Sequence, residues 1–286
     1  MRLAVRWTVG DASARGYEAL RLSIRGAYNL FGPDAAYVVC VNGIAPEEAR
    51  QRTGPVPAEV VWRPPGQLPD FLRGFLDHGM AEGTAWKFAP LRLFPDRYEL
   101  ALDNDCILWG MPEGMRRWLA SDRNDQCLLA EDVREGFGQF ASLCPPEPRN
   151  SGIRGLPPWF DLGAALRSVL TERPVRLTSE LDEQGLQVAA LSRGGAPLVV
   201  GVDDVTICSP FHPHLPDVGR CGAHFVGLNT RHIAWDYHGR PADACMAEHW
   251  ARHAPFLYRA VGLAAPAYAC SSLSSTKPLI NSTAGP

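Results

Sequence analysis

The residues with the plainest chemical potential in this chain are Asp103, Asn104 and Asp105, which end an apolar-rich run at 100–102 and precede Cys106, Ile107, Leu108 and Trp109. Two carboxylates one residue apart at the end of a buried strand are costly, because an unpaired buried carboxylate takes up a proton rather than stay ionised. A partner cation is therefore expected. Hard oxygen ligands suit Mg²⁺ or Mn²⁺, which bind through one or two carboxylates together with the phosphates of a substrate. Asp and Asn are also ordinary turn formers, so the triplet alone equally describes an Asx-rich turn that closes a strand. Two further residues are bland when read singly. Lys87, in the apolar stretch 83–95, reads as a surface lysine whose stem covers apolar side chains. His224, beside Phe225 and Val226, reads as a satisfied core histidine.

The elements that must position these groups begin with a β-branched-rich strand, Leu3–Val9, ending at Gly10. Tyr17, Leu20, Ile24, Ala27 and Phe31 then recur at helical spacing until Gly32-Pro33 stops the helix. A buried strand follows at Ala36–Val41, and a short one at 59–63. This βαβ alternation predicts a parallel sheet with its binding crevice at the carboxyl ends of the strands, where Thr8, Val9 and Asn42 are candidates to hold a nucleoside. A helix is expected over 83–95, another over 113–120, and a strand over 126–130. Residues 144–158, rich in Pro and Gly, read as loop or edge structure; Asn150-Ser151-Gly152 within them suits close approach to a sugar and equally suits a plain turn. Helices are expected over 159–171 and over 179–191, the latter with Ser179 as N-cap. One or two strands fall within 197–208. A closing helix runs over 242–262 with a break at Pro255. Residues 1–265 are read as a single domain and 266–286, polar and rich in small residues, as a disordered tail.

Composition narrows the class. With 286 residues, 46% hydrophobic and 21% charged, the chain has the makeup of an ordinary soluble globular protein. A formal charge of −3 argues against a nucleic-acid binder. No apolar run reaches the length of a membrane span and no signal peptide is legible. The eight cysteines are widely spaced without a CxxC pair, which favours reduced thiols in a cytoplasm over disulfides or structural zinc.

Taken in order, Trp86-Lys87, Leu102-Asp103-Asn104-Asp105, Asn150-Ser151-Gly152, Glu183-Gln184-Gly185-Leu186 and His224-Phe225-Val226-Gly227 resemble the retaining glycosyltransferases of GT-A fold that include glycogenin and bacterial lipopolysaccharide galactosyl- and glucosyltransferases. The resemblance implies an α/β, Rossmann-like nucleotide-diphospho-sugar transferase fold with a mixed, mostly parallel sheet flanked by helices. It implies that Asp103, Asp105 and His224 hold Mn²⁺ or Mg²⁺ on the diphosphate of a nucleotide-sugar donor, a UDP-hexose in the first instance. Asn104 and Gly227 go with the donor, Lys87 clamps its phosphate or sugar, and Asn150 and Ser151 line the sugar pocket. Glu183, where relatives carry aspartate, and Gln184 face the anomeric carbon. Retention then follows either double displacement, which needs a carboxylate nucleophile, or same-face attack. The family's Lys-Pro-Trp triplet after the histidine is absent, and Arg231 is the candidate substitute on the phosphate.

Two alternatives stand beside this reading. A sugar-1-phosphate nucleotidyltransferase shares much of the sheet, but residues 10–15 lack its glycine cluster after the first strand. A non-catalytic nucleotide-sugar-binding relative is the other. The acceptor is unassigned; its pocket is expected from the loops 66–83, 131–149 and 209–219, with His212 and His214 in the last.

Overall fold

The computed structural model describes residues 3–76, 86–229 and 233–266. Strands β1 (Leu3–Val9), β2 (Ala36–Val41) and β3 (Val60–Arg63) alternate with helices α1 (Ala14–Phe31) and α2 (Pro46–Thr53), and a single-turn helix α3 (Asp70–Arg73) follows. Next come β4 (Tyr98–Asp103), β5 (Cys106–Leu108), α4 (Glu113–Leu119), β6 (Leu128–Glu131), β7 (Arg149–Leu156), α5 (Leu162–Glu172) and α6 (Glu180–Ser192). The chain ends with β8 (Leu198–Val200), β9 (Val205–Cys208), β10 (Gly222–Phe225), β11 (Asp236–Tyr237), β12 (Arg240–Pro241) and α7 (Ala242–Ala260). The main sheet has seven strands in the order β3-β2-β1-β4-β7-β6-β8. All neighbours are parallel except β7, which is antiparallel to both β4 and β6. Strands β5, β10 and β9 form a separate small sheet.

Alternation along β1 sends Leu3, Val5, Trp7 and Val9 into one core with Tyr17, Leu20, Ile24 and Ala27 of α1, each large side chain contributing about 1.5–3 kcal/mol by burial. Leu100 and Leu102 of β4 join the same core. The intervening Arg6, Thr8, Glu99 and Asp103 therefore fall on the opposite face, and Thr8 stands opposite Asp103 in the register. A second core forms around α5 and α6, with Phe137, Phe140 and Leu156, and a third beneath α7 with Ile107, Cys208 and Phe225.

Three expectations are corrected, and one element had no expectation. Residues 144–158 contain an internal strand, β7, rather than loop or edge structure. Its glycines are there for proximity: a Cβ on Gly155 would meet Leu128 Cβ and Trp118 Cζ2, both at 2.7 Å. The helix expected over 83–95 is, within the described residues, only a 3₁₀ turn at Trp86–Phe88. Pro90 and Pro95 cannot continue a helix, and buried side chains take its place as hydrogen-bond partners. Arg6 donates to Lys87 O (2.9 Å) and Pro90 O (2.7 Å), while Glu99 Oε2 accepts from Leu93 N (2.7 Å) and Phe94 N (2.9 Å). α7 runs unbroken through Pro255, its apolar face held by the third core. α2, with Pro46 in its first turn, was not anticipated. The expected tail lies, beyond Pro266, outside the described residues.

Candidate active site

The carboxyl ends of β1, β2 and β4 open into a cleft of about 620 Å³. Asp103 is the last residue of β4; Asn104 and Asp105 turn the chain out of the main sheet and into β5. β5 pairs antiparallel with β10 so that Cys106 stands opposite His224, which swings the imidazole back beside the acids. The three ligand atoms of Asp103, Asp105 and His224 lie within 4.8 Å of one another. His224 Nε2 is 3.3 Å from Asp105 Oδ1 and 3.6 Å from Asp103 Oδ2. Behind the ring sits Gly152, where a Cβ would meet His224 Cε1 at 2.3 Å and Nδ1 at 2.6 Å, so only glycine leaves the imidazole its place.

This donor set fits a divalent cation. Among the described residues, Asp105 Oδ1 is buried with no polar contact beyond its 3.3 Å approach to His224 Nε2, an arrangement that is expensive unless another group completes it. Asp105 Oδ2 is fixed by Asn229 Nδ2 (3.0 Å), which aims the other oxygen into the cleft. Asn104 gives its amide to Gly16 O (3.1 Å) and Asn229 Oδ1 (2.5 Å) and so braces the turn against α1.

Lys87 is not a surface lysine. Its Nζ lies 2.9 Å from Asp103 and 3.6 Å from Glu183 Oε2. Burial works against its charge, but the carboxylates of Asp103 and Glu183 outweigh it and hold the ammonium above its ordinary pKa. Asp103 shows the converse: burial opposes ionisation, and Lys87 and His224 overcome it to lower its pKa. Burial raises Glu183 to about 7, against the pull of Lys87 and with the repulsion of Asp103. His224 is raised despite burial, by Asp105 first and Asp103 next.

Ser179 caps α6, accepting from Asp182 N (3.3 Å), and this sets the first turn that delivers Glu183 and Gln184 to the cleft. Gln184 is clamped at both ends, Oε1 accepting from Ser151 N (3.3 Å) and Nε2 donating to Gly136 O (2.9 Å). Asn150 donates to Asp132 Oδ2 (2.9 Å) and accepts from Gly152 N (2.7 Å). The Asn42 amide donates to Val9 O (2.8 Å) and accepts from Trp86 Nε1 (3.1 Å). Thr8, Val9, Asn42, Lys87 and the acidic triplet all line the cleft, as do Asn150, Ser151, Glu183, Gln184, His224 and Gly227. Arg231 lies outside the described residues.

Sequence reasoning missed a buried support layer. Gln187 donates to Glu183 Oε1 and accepts from Arg154, while Arg6 pairs with Glu99 at 3.2 Å. Burial and the Arg6 guanidinium push Arg154 down to about 10, so it remains charged near neutral pH. Gln187 was findable, one turn after Glu183 on the same helix face; Arg154 was hidden because β7 was not recognised as a strand. Asp132, Arg134 and His214 also line the cleft.

A mixed seven-stranded sheet with its cleft at an acidic strand end and a second small sheet carrying a histidine defines a class of fold. No protein-family model matches the chain, and no curated relative matches it. Among solved structures it is similar to the galactosyltransferase LgtC in complex with donor and acceptor sugar analogues (TM-score 0.53, 15% identity, 92% of this chain and 98% of LgtC). An active-site mutant of LgtC gives a TM-score of 0.50 at 14% identity over 90% of this chain and 99% of that one. The bifunctional glycosyltransferase WbbM, in its apo form, gives 0.50 at 17% over 91% of this chain and 51% of WbbM. The chain therefore has the GT-A fold. Among the described residues no helix is long and apolar enough to cross a membrane.

Proposed function

We propose that residues 1–265 form a single glycosyltransferase domain that uses Mn²⁺ or Mg²⁺ to move a hexose from a nucleoside diphosphate sugar, UDP-linked in the first instance, to an acceptor with retention of configuration. The observation that carries this reading is the meeting of Asp103, Asp105 and His224 within 4.8 Å, beside Lys87 and Glu183, in a cleft of the size small-molecule sites occupy. A divalent ion held by these three residues supplies neutralisation of the charge that develops on the departing diphosphate.

The chain's own groups do the rest. Thr8, Val9 and Asn42 form the nucleoside end of the cleft. Gly227, at φ +89°, allows backbone to approach the diphosphate where a side chain would strain the turn. Lys87 brings a fixed positive charge between the metal ligands and the sugar. Asn150 and Ser151 orient the sugar hydroxyls. The Glu183 carboxylate, held by Gln187, stabilises positive charge at the anomeric carbon and is the carboxylate available if retention proceeds by double displacement. Gln184 is read as an active-site residue in keeping with the glutamine replaced in the LgtC active-site mutant.

Calorimetry against UDP, GDP and CDP, each with Mn²⁺ and with EDTA, tests the donor half. Micromolar binding that needs both UDP and metal is expected; binding to no nucleotide under either condition refutes the reading.

A further inference from the structure

Across β10 from His224 lies a second cluster that the proposed chemistry does not use. His224 faces the cleft, and its neighbour Phe225 faces α7, where its ring centroid is 6.0 Å from that of His249 and 5.8 Å from that of His253. Those histidines are four residues apart, so α7 presents both on one face, and their rings meet at 4.7 Å. Cys208, the last residue of β9, completes the group: its Sγ is 3.3 Å from His249 Nε2. One ligand atom from each of the three residues lies within 4.8 Å of the others, and all three residues are buried.

We propose that Cys208, His249 and His253 form a metal site for a borderline-soft divalent ion of the zinc class, a staple between β9 and α7. The ligand chemistry is distinct from that of the cleft: one thiolate and two imidazoles select zinc-like ions, whereas carboxylates select magnesium and manganese. The observed sulfur–nitrogen separation of 3.3 Å is close to the edge of about 3.5 Å between sulfur and nitrogen ligands of a tetrahedral zinc ion. His253 Nε2 lies 2.9 Å from Pro216 O, the backbone-carbonyl contact that fixes the tautomer of metal-ligating histidines. The Arg252 guanidinium, 3.3 Å from the same nitrogen, is drawn outward by Asp217 at 3.5 Å and by Pro216 O. Binding breaks the Cys208 S–H bond, forms an Sγ–metal bond and releases one proton to solvent.

Cobalt titration of the full-length, chelator-stripped protein tests this independently of any activity, because only a thiolate ligand gives the near-ultraviolet charge-transfer band. A band that saturates, is bleached by Zn²⁺, persists in an Asp103→Asn/Asp105→Asn variant and is lost in Cys208→Ser supports the site. No band in the wild type, or a band that survives Cys208→Ser, overturns it and leaves a hydrogen-bonded Cys–His pair in the core. If Cys208→Ser does not fold, His249→Gln decides: loss of cobalt affinity by more than about 10-fold supports the site, and a smaller change overturns it.

Discussion

Replacing Gly152 by alanine adds one methyl group against the imidazole that completes the acidic cluster. The new Cβ would stand 2.3 Å from His224 Cε1 and 2.8 Å from Asn150 Oδ1. Carbon atoms in contact need about 3.5–4.0 Å, so the ring must retreat by roughly 1 Å or more. The backbone of Gly152 is not in the left-handed region, and the effect is therefore steric rather than conformational. Overpacking of this kind costs about 1–3 kcal/mol of stability. Misplacement of a ligand by about 1 Å is worth about 10²-fold in turnover, or about 2.7 kcal/mol, and about 10–100-fold in Mn²⁺ affinity. Calorimetry with Mn²⁺ reads the affinity, and donor hydrolysis reads the turnover. Gly155→Ala is the control: its Cβ would meet Leu128 and Trp118 at 2.7 Å, away from the cluster, so it should lower the melting temperature and leave Mn²⁺ affinity unchanged. Wild-type metal affinity in Gly152→Ala, or an equal loss in Gly155→Ala, refutes the claim that Gly152 sets the position of His224.

Three further outcomes are expected. Lys87→Ala removes the cation between Asp103 and Glu183; because Lys87 and Asp103 are about a quarter exposed, at 23% and 24%, the loss should fall near the low end of the buried-pair range, about 2–3 kcal/mol. Mn²⁺ should restore part of that stability by supplying positive charge to Asp103, and melting curves in EDTA and in Mn²⁺ that shift equally would contradict this. Asp105→Ala should abolish metal-dependent donor binding and turnover while the circular dichroism stays native; full activity without that carboxylate removes it from the metal site. Glu183→Gln should lower turnover far more than donor binding. It should also change the pH dependence of the metal-free protein. Folded Glu183 titrates at about 7 and an unfolded glutamate near about 4.3, so between these values the native state holds a proton the unfolded state has lost. That contribution is complete below the lower value and disappears as pH rises through about 7. Urea titrations across this window should show the fall in wild type and its absence in Glu183→Gln; parallel profiles would mean that Glu183 is ionised throughout.

What the sequence disclosed, and what it hid, follows one physical division. Elements with a one-sided or unbroken apolar pattern were legible: β1 and α1 carry their burial in their spacing, β2 in a continuous apolar run, and α6, buried along most of its length, is marked by its serine cap. α2 escaped because only Ala49 and Thr53 are buried, leaving no periodicity, although Pro46, Glu47 and Glu48 at its start and Arg50 and Arg52 at its end are the charges a helix dipole favours. β7 escaped for the opposite reason. It is buried at nearly every position, but by residues chosen for what they lie against: Gly152 for an imidazole, Gly155 for Trp118, Arg154 for Gln187. Local propensity scores such a segment as a turn, and only the antiparallel pairing to β4 and β6 makes it a strand. The same division runs through the site. Asp103 and Asp105 stand out as candidates because paired carboxylates at a strand end are costly without a partner, although the triplet alone reads equally as a turn. Lys87 and His224 do not, since each is ordinary in its own segment and acquires its character only when β4 meets the 3₁₀ turn and β5 meets β10. Residues whose function comes from a distant neighbour are the ones a single sequence presents as bland, and here they include two of the groups that would govern charge in the cleft.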